Sequence, residues 1–301
     1  MATDSRYTEQ AKKQAAHFEI FKADDSVEKW LPVLVQRLSL KQLAFEASHI
    51  QFNLHCKIAA PLKKTELLPT EDIVEGIRAV KELGEIELIK RAAAISDAAI
   101  AHAAGILKPG ITELELAWEI EKFMRQNGSQ AIPFEVITAA GANAAMPHAQ
   151  PSQHKIKTGE PVIIDIGARV EGYASDITRT LCAGNPDDKF KEIYGIVLKA
   201  QQAAIDGITD GTGCMQADSL ARQIIDKAGY GKNFGHSLGH GIGLNVHEKP
   251  YLSQKSKDSL ENGMVFTIEP GIYIPGWGGV RIEDDVCLKN GKIEVLSKAA
   301  K

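Results

Sequence analysis

The feature that most constrains this chain is an acid inside an apolar strand-like run, Val162-Ile163-Ile164-Asp165-Ile166-Gly167. A second acid answers it downstream in Tyr173-Ala174-Ser175-Asp176-Ile177-Thr178-Arg179-Thr180. A carboxylate among valines and isoleucines is costly unless it is paired or coordinates something. A turn at about Arg169 to Gly172 folds the two segments into a hairpin in which facing residues have numbers summing to 341 or 343. Either register puts Asp165 and Asp176 on one face, as direct or diagonal neighbours. Two like charges there repel, and a divalent cation between them removes the repulsion. The alternative is that Asp176 pairs with Arg179 or another base and Asp165 merely ends a strand.

Composition narrows the partners. The 301 residues hold 39 Asp+Glu against 35 Lys+Arg, a formal net charge of −4, with 44% hydrophobic and 25% charged residues. This is a globular composition with no basic excess to attract nucleic acid or an anionic membrane, so small molecules or peptides are the expected partners. No apolar run reaches membrane-spanning length, about 18 residues. Met1 to Gln10 lacks the basic start and apolar stretch of a signal peptide. Cys56, Cys182, Cys214 and Cys287 are scattered, with no CxxC pair, which points to a reducing compartment and a cytoplasmic protein.

The texture changes near residue 70. Before it come short alternations: Glu9 to Ala15, Phe18 to Phe21, a helix-like Val27 to Arg37, Leu43 to Glu46 and His49 to Leu54, together a small α/β segment. Leu68-Pro69-Thr70-Glu71 punctuates, with Thr70 offering a helix cap. Helices are then expected over Glu85 to Leu107, from a Thr112/Glu115 capping box to near Gly128, from Asn185-Pro186 onward, and over about Gln216 to Ala228. Strands are expected at Val162–Ala168, Tyr173–Cys182, Met264–Ile274 and Val280–Leu288. The fold class is α+β, without regular βαβ alternation.

Two further clusters carry chemistry. His236-Ser237-Leu238-Gly239-His240-Gly241-Ile242-Gly243-Leu244-Asn245-Val246-His247-Glu248 holds three histidines among glycines. It is neither a helical HExxH motif nor a convincing phosphate loop, and the glycines suggest close approach of backbone to a ligand. Phe266-Thr267-Ile268-Glu269-Pro270-Gly271 and Gly279-Val280-Arg281-Ile282-Glu283-Asp284-Asp285 set acids on neighbouring strands, Arg281, Glu283 and Asp285 sharing one face. Taken alone, that last pattern reads as an Arg281–Glu283 surface ladder of little energetic weight. Taken together, two Asp, one or more His and two Glu make an oxygen-rich, sulfur-free set that suits Mn²⁺, Co²⁺ or Fe²⁺ and also admits Zn²⁺. Two such ions sharing carboxylates could hold a bridging hydroxide, and hydrolysis follows.

The run Asp165-Ile-Gly, Asp176-Ile-Thr-Arg-Thr, His240-Gly-Ile-Gly, His247-Glu248, Glu269-Pro-Gly and Arg281-Ile-Glu283-Asp-Asp resembles the pita-bread metallopeptidases, and within them the aminopeptidase P and prolidase branch of Xaa-Pro peptidases. The resemblance implies a pita-bread catalytic domain over residues 74–301 and two divalent metal ions, with Mn²⁺ foremost. Asp176 and Glu283 would bridge the ions, Asp165 would bind one, and His240 and Glu269 the other. It also implies that Glu269 moves a proton, that His148 is an active-site histidine that contacts the substrate, that His247 contacts the substrate and steadies the tetrahedral intermediate, and that His236 and Arg281 shape the proline pocket and support the carboxylate ligands. Methionine aminopeptidases share Gly-His-Gly-Ile-Gly and His247-Glu248-Lys249-Pro250, but Asp176-Ile-Thr-Arg-Thr and Val280-Arg281-Ile-Glu-Asp-Asp look like the Xaa-Pro branch. Non-catalytic binding modules and creatinase-like amidinohydrolases of this fold lose ligands, and this chain keeps all five. Thr3-Asp4-Ser5-Arg6-Tyr7 resembles the middle of the family's N-terminal domain, so residues 1–73 are expected to be a partial creatinase/prolidase-type domain. Its open strand edges invite self-association, and a homodimer is expected.

Overall fold

The two acid-bearing segments pair antiparallel in the register whose partners sum to 343: Pro161 faces Cys182 and Asp165 faces Thr178, with Asp176 just beyond the paired stretch. The computed structural model describes residues 1–301 and divides them into two units, Met1–Val74 and Glu75–Lys301.

The first unit runs β1 (Ala2–Thr3), α1 (Thr8–Gln14), β2 (Phe21–Lys22), α2 (Val27–Arg37), β3 (Gln42–Glu46), α3 (Phe52–Ala59) and β4 (Glu66–Thr70). Its strands pair in parallel, β1 with β2 and β3 with β4, the α/β texture expected of it. Thr70, expected as a helix cap, is instead the last residue of β4, and its hydroxyl donates to the Phe45 carbonyl at 2.9 Å. α4 (Ile73–Ala79) follows.

In the second unit α5 (Leu83–Ile106) and α6 (Glu113–Gln126) precede β5 (Ile137–Ala140), β6 (Pro161–Ile166), the short hairpin β7 (Arg169–Val170) and β8 (Tyr173–Ala174), and β9 (Ile177–Cys182). The Thr112/Glu115 capping box forms with both of its hydrogen bonds. α7 (Asp188–Gly207) and α8 (Cys214–Lys227) come next. The start of α7 differs from expectation: Asp187 caps it by accepting from the Phe190 N–H, so Pro186 stands outside the helix. The chain ends in β10 (Gly239–Gly241), β11 (Glu248–Leu252), β12 (Val265–Ile268), β13 (Gly271–Ile274), β14 (Gly278–Arg281), β15 (Asp284–Lys289) and β16 (Lys292–Val295).

Two sheets take the helices on one side. In the order β5-β6-β9, Val162, Ile164 and Ile166 pack with Ala99, Ile100 and Ala103 of α5 and Leu116, Ile120 and Met124 of α6. In the order β11-β10-β12-β15-β16, Phe266, Ile268, Val286 and Leu288 pack with Ile193, Val197 and Ala200 of α7 and Ala217, Ala221 and Ile225 of α8. Period-two alternation then turns Asp165 and Thr267 away from those helices. The α+β class holds, with antiparallel sheets throughout this unit.

Two strands expected to be continuous are broken, for definite reasons. Pro270 has no N–H to donate, so Met264–Ile274 splits into β12 and β13 after Ile268. Val280–Leu288 splits at Ile282-Glu283 because its two halves serve different partners: β14 pairs with β13, β15 with β12. The glycines around His240 also have another purpose than expected. A Cβ on Gly239 would lie 2.0 Å from the Thr267 carbonyl oxygen, and one on Gly241 2.0 Å from that of Lys249. They let neighbouring strand backbones close up, rather than a ligand. Gly239→Ala should therefore force β10 off β12 and cost about 1–3 kcal/mol of stability, as overpacking does; denaturant unfolding with no loss would refute this.

Candidate metal centre

All nine residues singled out from the sequence line one cleft of about 470 Å³. Asp165 stands near the end of β6, Asp176 just before β9, His240 in the middle of β10, Glu269 just after β12, and Glu283 in the step between β14 and β15. The two strand breaks put Glu269 and Glu283 there. The Glu269 N–H donates to the Leu238 carbonyl (2.8 Å) and that of Glu283 to the Thr178 carbonyl (3.1 Å), so each backbone is satisfied outside a regular ladder while its side chain turns inward.

Asp165, Asp176 and Glu283 bring one carboxylate oxygen each to within 4.8 Å of one another, as do the potential ligand atoms of His240, Glu269 and Glu283. A third such group joins Asp176, His240 and His247. His240 Nε2 lies 3.3 Å from Glu269 Oε1 and 3.7 Å from Asp176 Oδ2. Its Nδ1 lies 3.1 Å from the Gly241 carbonyl, which can only accept, so the proton sits on Nδ1 and the Nε2 lone pair faces the acids. Asp165 Oδ1 is buried without a hydrogen-bond partner. A hard, oxygen-dominated donor set around an orphaned carboxylate oxygen fits a divalent cation.

The surroundings orient the acids and offset the charge of only one of them directly, Asp165, through Arg281. The Thr178 hydroxyl donates to Glu283 Oε2 at 2.6 Å and accepts from Arg281 Nε at 3.0 Å. Arg281 also donates to Asp165 Oδ2 (2.5 Å), the Tyr273 hydroxyl (2.8 Å) and the Pro147 carbonyl (3.2 Å). The Arg281–Glu283 surface ladder is thereby overturned, since both side chains are buried and meet through Thr178. Nor does Asp176 pair with Arg179, whose fully buried guanidinium meets Asp284 at 2.7 Å and the Glu283 and Ala299 carbonyls. The Tyr273 hydroxyl lies 2.9 Å from His236 Nε2, and His236 Nδ1 lies 2.8 Å from the Ser237 carbonyl, which sets that ring's tautomer too.

The electrostatics follow. Burial, then the neighbouring Glu283 and Asp165, hold Asp176 well above the carboxylate range. Burial, then Glu269 and Asp165, do the same to Glu283, and burial, against the pull of Arg281, raises Glu269 to about 8. Burial lowers His236 to about 3 and His240 to about 4, leaving neutral imidazoles. His247 is exposed to the cleft, its ring centroid 4.2 Å from that of His240, and His148 lies on the exposed loop after β5.

Sequence reading missed several supports. Glu248 is buried and meets Lys81 Nζ at 2.8 Å and Arg78 at 2.5 Å, bracing the loop that carries His247. Asp285 accepts from the Asp176 N–H at 3.0 Å. The Glu248 and Asp285 side chains were visible in the motifs, but their partners come from distant segments.

Residues 87–290 match the metallopeptidase family M24, and residues 1–80 the creatinase/prolidase N-terminal domain. The chain belongs to metallopeptidase family M24. On its Xaa-Pro branch, the chain is 44% identical over 233 residues to the Xaa-Pro dipeptidase of Pyrococcus furiosus, covering 77% of this chain and 67% of that one. The solved Xaa-Pro dipeptidase from Bacillus anthracis superposes with a TM-score of 0.97 at 44% identity, over 100% of this chain and 84% of that one. The X-Pro aminopeptidase from Thermotoga maritima superposes with a TM-score of 0.92 at 40% identity, over 99% and 83%. The fold of this M24 peptidase is accordingly the pita-bread fold, preceded by a creatinase-type domain, and its cluster is able to hold divalent metal. No helix is long and apolar enough to cross a membrane.

A pH dependence follows for this M24 peptidase when stripped of metal. With Asp176, Glu283 and Glu269 shifted up, the folded chain keeps protons that the unfolded chain has released, so stability falls as pH rises from the ordinary carboxylate range, about 4, towards the raised values. Chelator-treated protein should melt lower at pH 8 than at pH 5, and added Mn²⁺ should raise the melting temperature more at the higher pH. A metal-induced shift independent of pH would contradict the charge assignment.

Proposed function

We propose that this chain is a metal-dependent exopeptidase that hydrolyses the N-terminal peptide bond of Xaa-Pro peptides or dipeptides. The observation that carries the reading is the convergence of Asp165, Asp176, His240, Glu269 and Glu283 on one buried cluster that retains an unpartnered carboxylate oxygen. The Xaa-Pro names of the relatives supply the specificity. These five residues would hold two divalent ions, Asp176 and Glu283 shared between them, with Mn²⁺ foremost for an oxygen-rich set. Such ions supply a nucleophile from water near neutral pH.

The remaining residues then have defined tasks. Glu269, largely buried just after β12, would also take up and return a proton during turnover. His247 and His148 face the cleft, where an imidazole beside a developing oxyanion lowers the barrier. His236 and Arg281 shape the proline pocket, and the bonds from Arg281 to Asp165, Thr178 and Tyr273 fix the acids as well. The four unpaired cysteines suit a reducing compartment such as the cytoplasm.

Purified protein loaded with Mn²⁺ should cleave an Xaa-Pro dipeptide, an Xaa-Pro-Yaa tripeptide, or both, and leave Xaa-Ala analogues largely intact. Stoichiometric metal with no cleavage of either proline substrate would reject the reading in favour of a binding module. Asp176→Ala should abolish both metal retention and turnover. His247→Ala should keep the metal and lower turnover by about 10²–10³, the range for losing one oxyanion donor; metal loss in that variant would remove His247 from its assigned role.

A further inference from the structure

The loop that carries His148 is tied down by a buried carboxylate outside the metal cluster. Glu113, the first residue of α6, is fully buried. Its Oε1 accepts from the Ala140 N–H at 2.7 Å and from Asn143 Nδ2 at 3.1 Å. Its Oε2 accepts from the Ser152 N–H at 3.0 Å, the Ser152 hydroxyl at 2.6 Å and Asn143 Nδ2 at 3.1 Å. Both ends of the segment from Ala140 to Ser152 are thus bound to one side chain, and the Asn143 amide near its start is bound there too.

The same segment meets the cleft on its other side. A Cβ on Gly279 would lie 2.1 Å from the Ala144 carbonyl oxygen, so the loop lies directly on β14. The Pro147 carbonyl accepts from Arg281, and His148 follows it, exposed to the cleft. Closing a loop of this length on a fixed point removes most of its conformational freedom, and a buried carboxylate with several charge-assisted hydrogen bonds is a strong fixed point.

We propose that Glu113 is a positioning residue for His148: it closes the 140–152 loop so that the imidazole meets the cleft at one defined place. The carboxylate is needed rather than any polar group of that size. An amide in its place would turn an NH₂ towards the donors of Ala140 or Ser152, and one end of the loop would come free. What His148 does at that place rests on the function proposed above; the loop closure itself does not.

The test joins a double-mutant cycle with amide hydrogen exchange on the full, metal-loaded chain. In Glu113→Gln, the amides of residues 140–152 should exchange faster by about tenfold or more, while those of α7 and α8 keep their protection. Turnover of an Xaa-Pro tripeptide should fall about tenfold in the otherwise unchanged chain, but less than about twofold when His148→Ala is already present. Metal content should stay the same. Equal losses in both backgrounds, or unchanged exchange in the loop, would overturn the proposal, because a merely structural glutamate costs the same with or without His148. If the unsubstituted protein cleaves no Xaa-Pro peptide, the functional reading fails, and the exchange measurement alone decides whether Glu113 closes the loop. Should Glu113→Gln not fold, Ser152→Ala, which removes one hydroxyl donor, takes its place in the cycle with the same expected pattern at smaller amplitude.

Discussion

Everything in the larger unit depends on a repulsion. Asp165, Asp176 and Glu283 bring carboxylate oxygens within 4.8 Å of one another, with Glu269 close by across His240. Left to themselves such groups resist ionising together, and the upward shifts of three of them state how strongly. The protein offsets only one of these charges directly, through the ion pair of Arg281 with Asp165. Arg281 alone reaches in, and the other nearby guanidinium, Arg179, is turned to Asp284 and to backbone carbonyls. A cluster kept short of cations of its own is a cluster built for cations from outside.

The second constraint is how strands present side chains. A strand offers each face only every other residue, so a dense group of donors cannot come from one strand. It is assembled here from β6, the approach to β9, β10, and two places where strands stop. Proline ends β12 beside Glu269, and the exchange of partners between β14 and β15 exposes Glu283. Both of these acids stand on irregular backbone, and their N–H groups still find carbonyls, those of Leu238 and Thr178.

What was legible in the sequence had a local cause. That Asp165 and Asp176 share a face follows from chain numbers once a tight turn is granted, though the choice between the two registers does not, and the capping box at Thr112 lies within four consecutive residues. Asp165 was legible because an acid inside an apolar run has few explanations, whereas the full set with Asp176, His240, Glu269 and Glu283 came from the order of motifs that resembles the family. What escaped had a distant cause. Nothing around Glu113 reveals that its partners are Ala140, Asn143 and Ser152, and nothing around Glu248 points to Lys81. The glycines flanking His240 were visible but misassigned, since whether a missing side chain makes room for a ligand or for a neighbouring strand is decided by tertiary packing. The break within Val280 to Leu288 has a similar cause: strand-like residues on either side of Glu283-Asp284 cannot show that the two halves pair in different sheets.

The distribution of the five donors has a consequence for how damage to this molecule shows itself. Asp165 and Asp176 belong to the sheet packed on α5 and α6, whereas His240 and Glu269 belong to the sheet packed on α7 and α8. Two independent hydrophobic cores therefore set the two sides of one cluster, in which a displacement of a few tenths of an ångström matters. A slightly underpacked variant can keep both cores, both sheets and an ordinary melting curve, and still separate the donors. The cluster is the finest gauge of packing in the molecule, and it registers a loosened core long before either core unfolds.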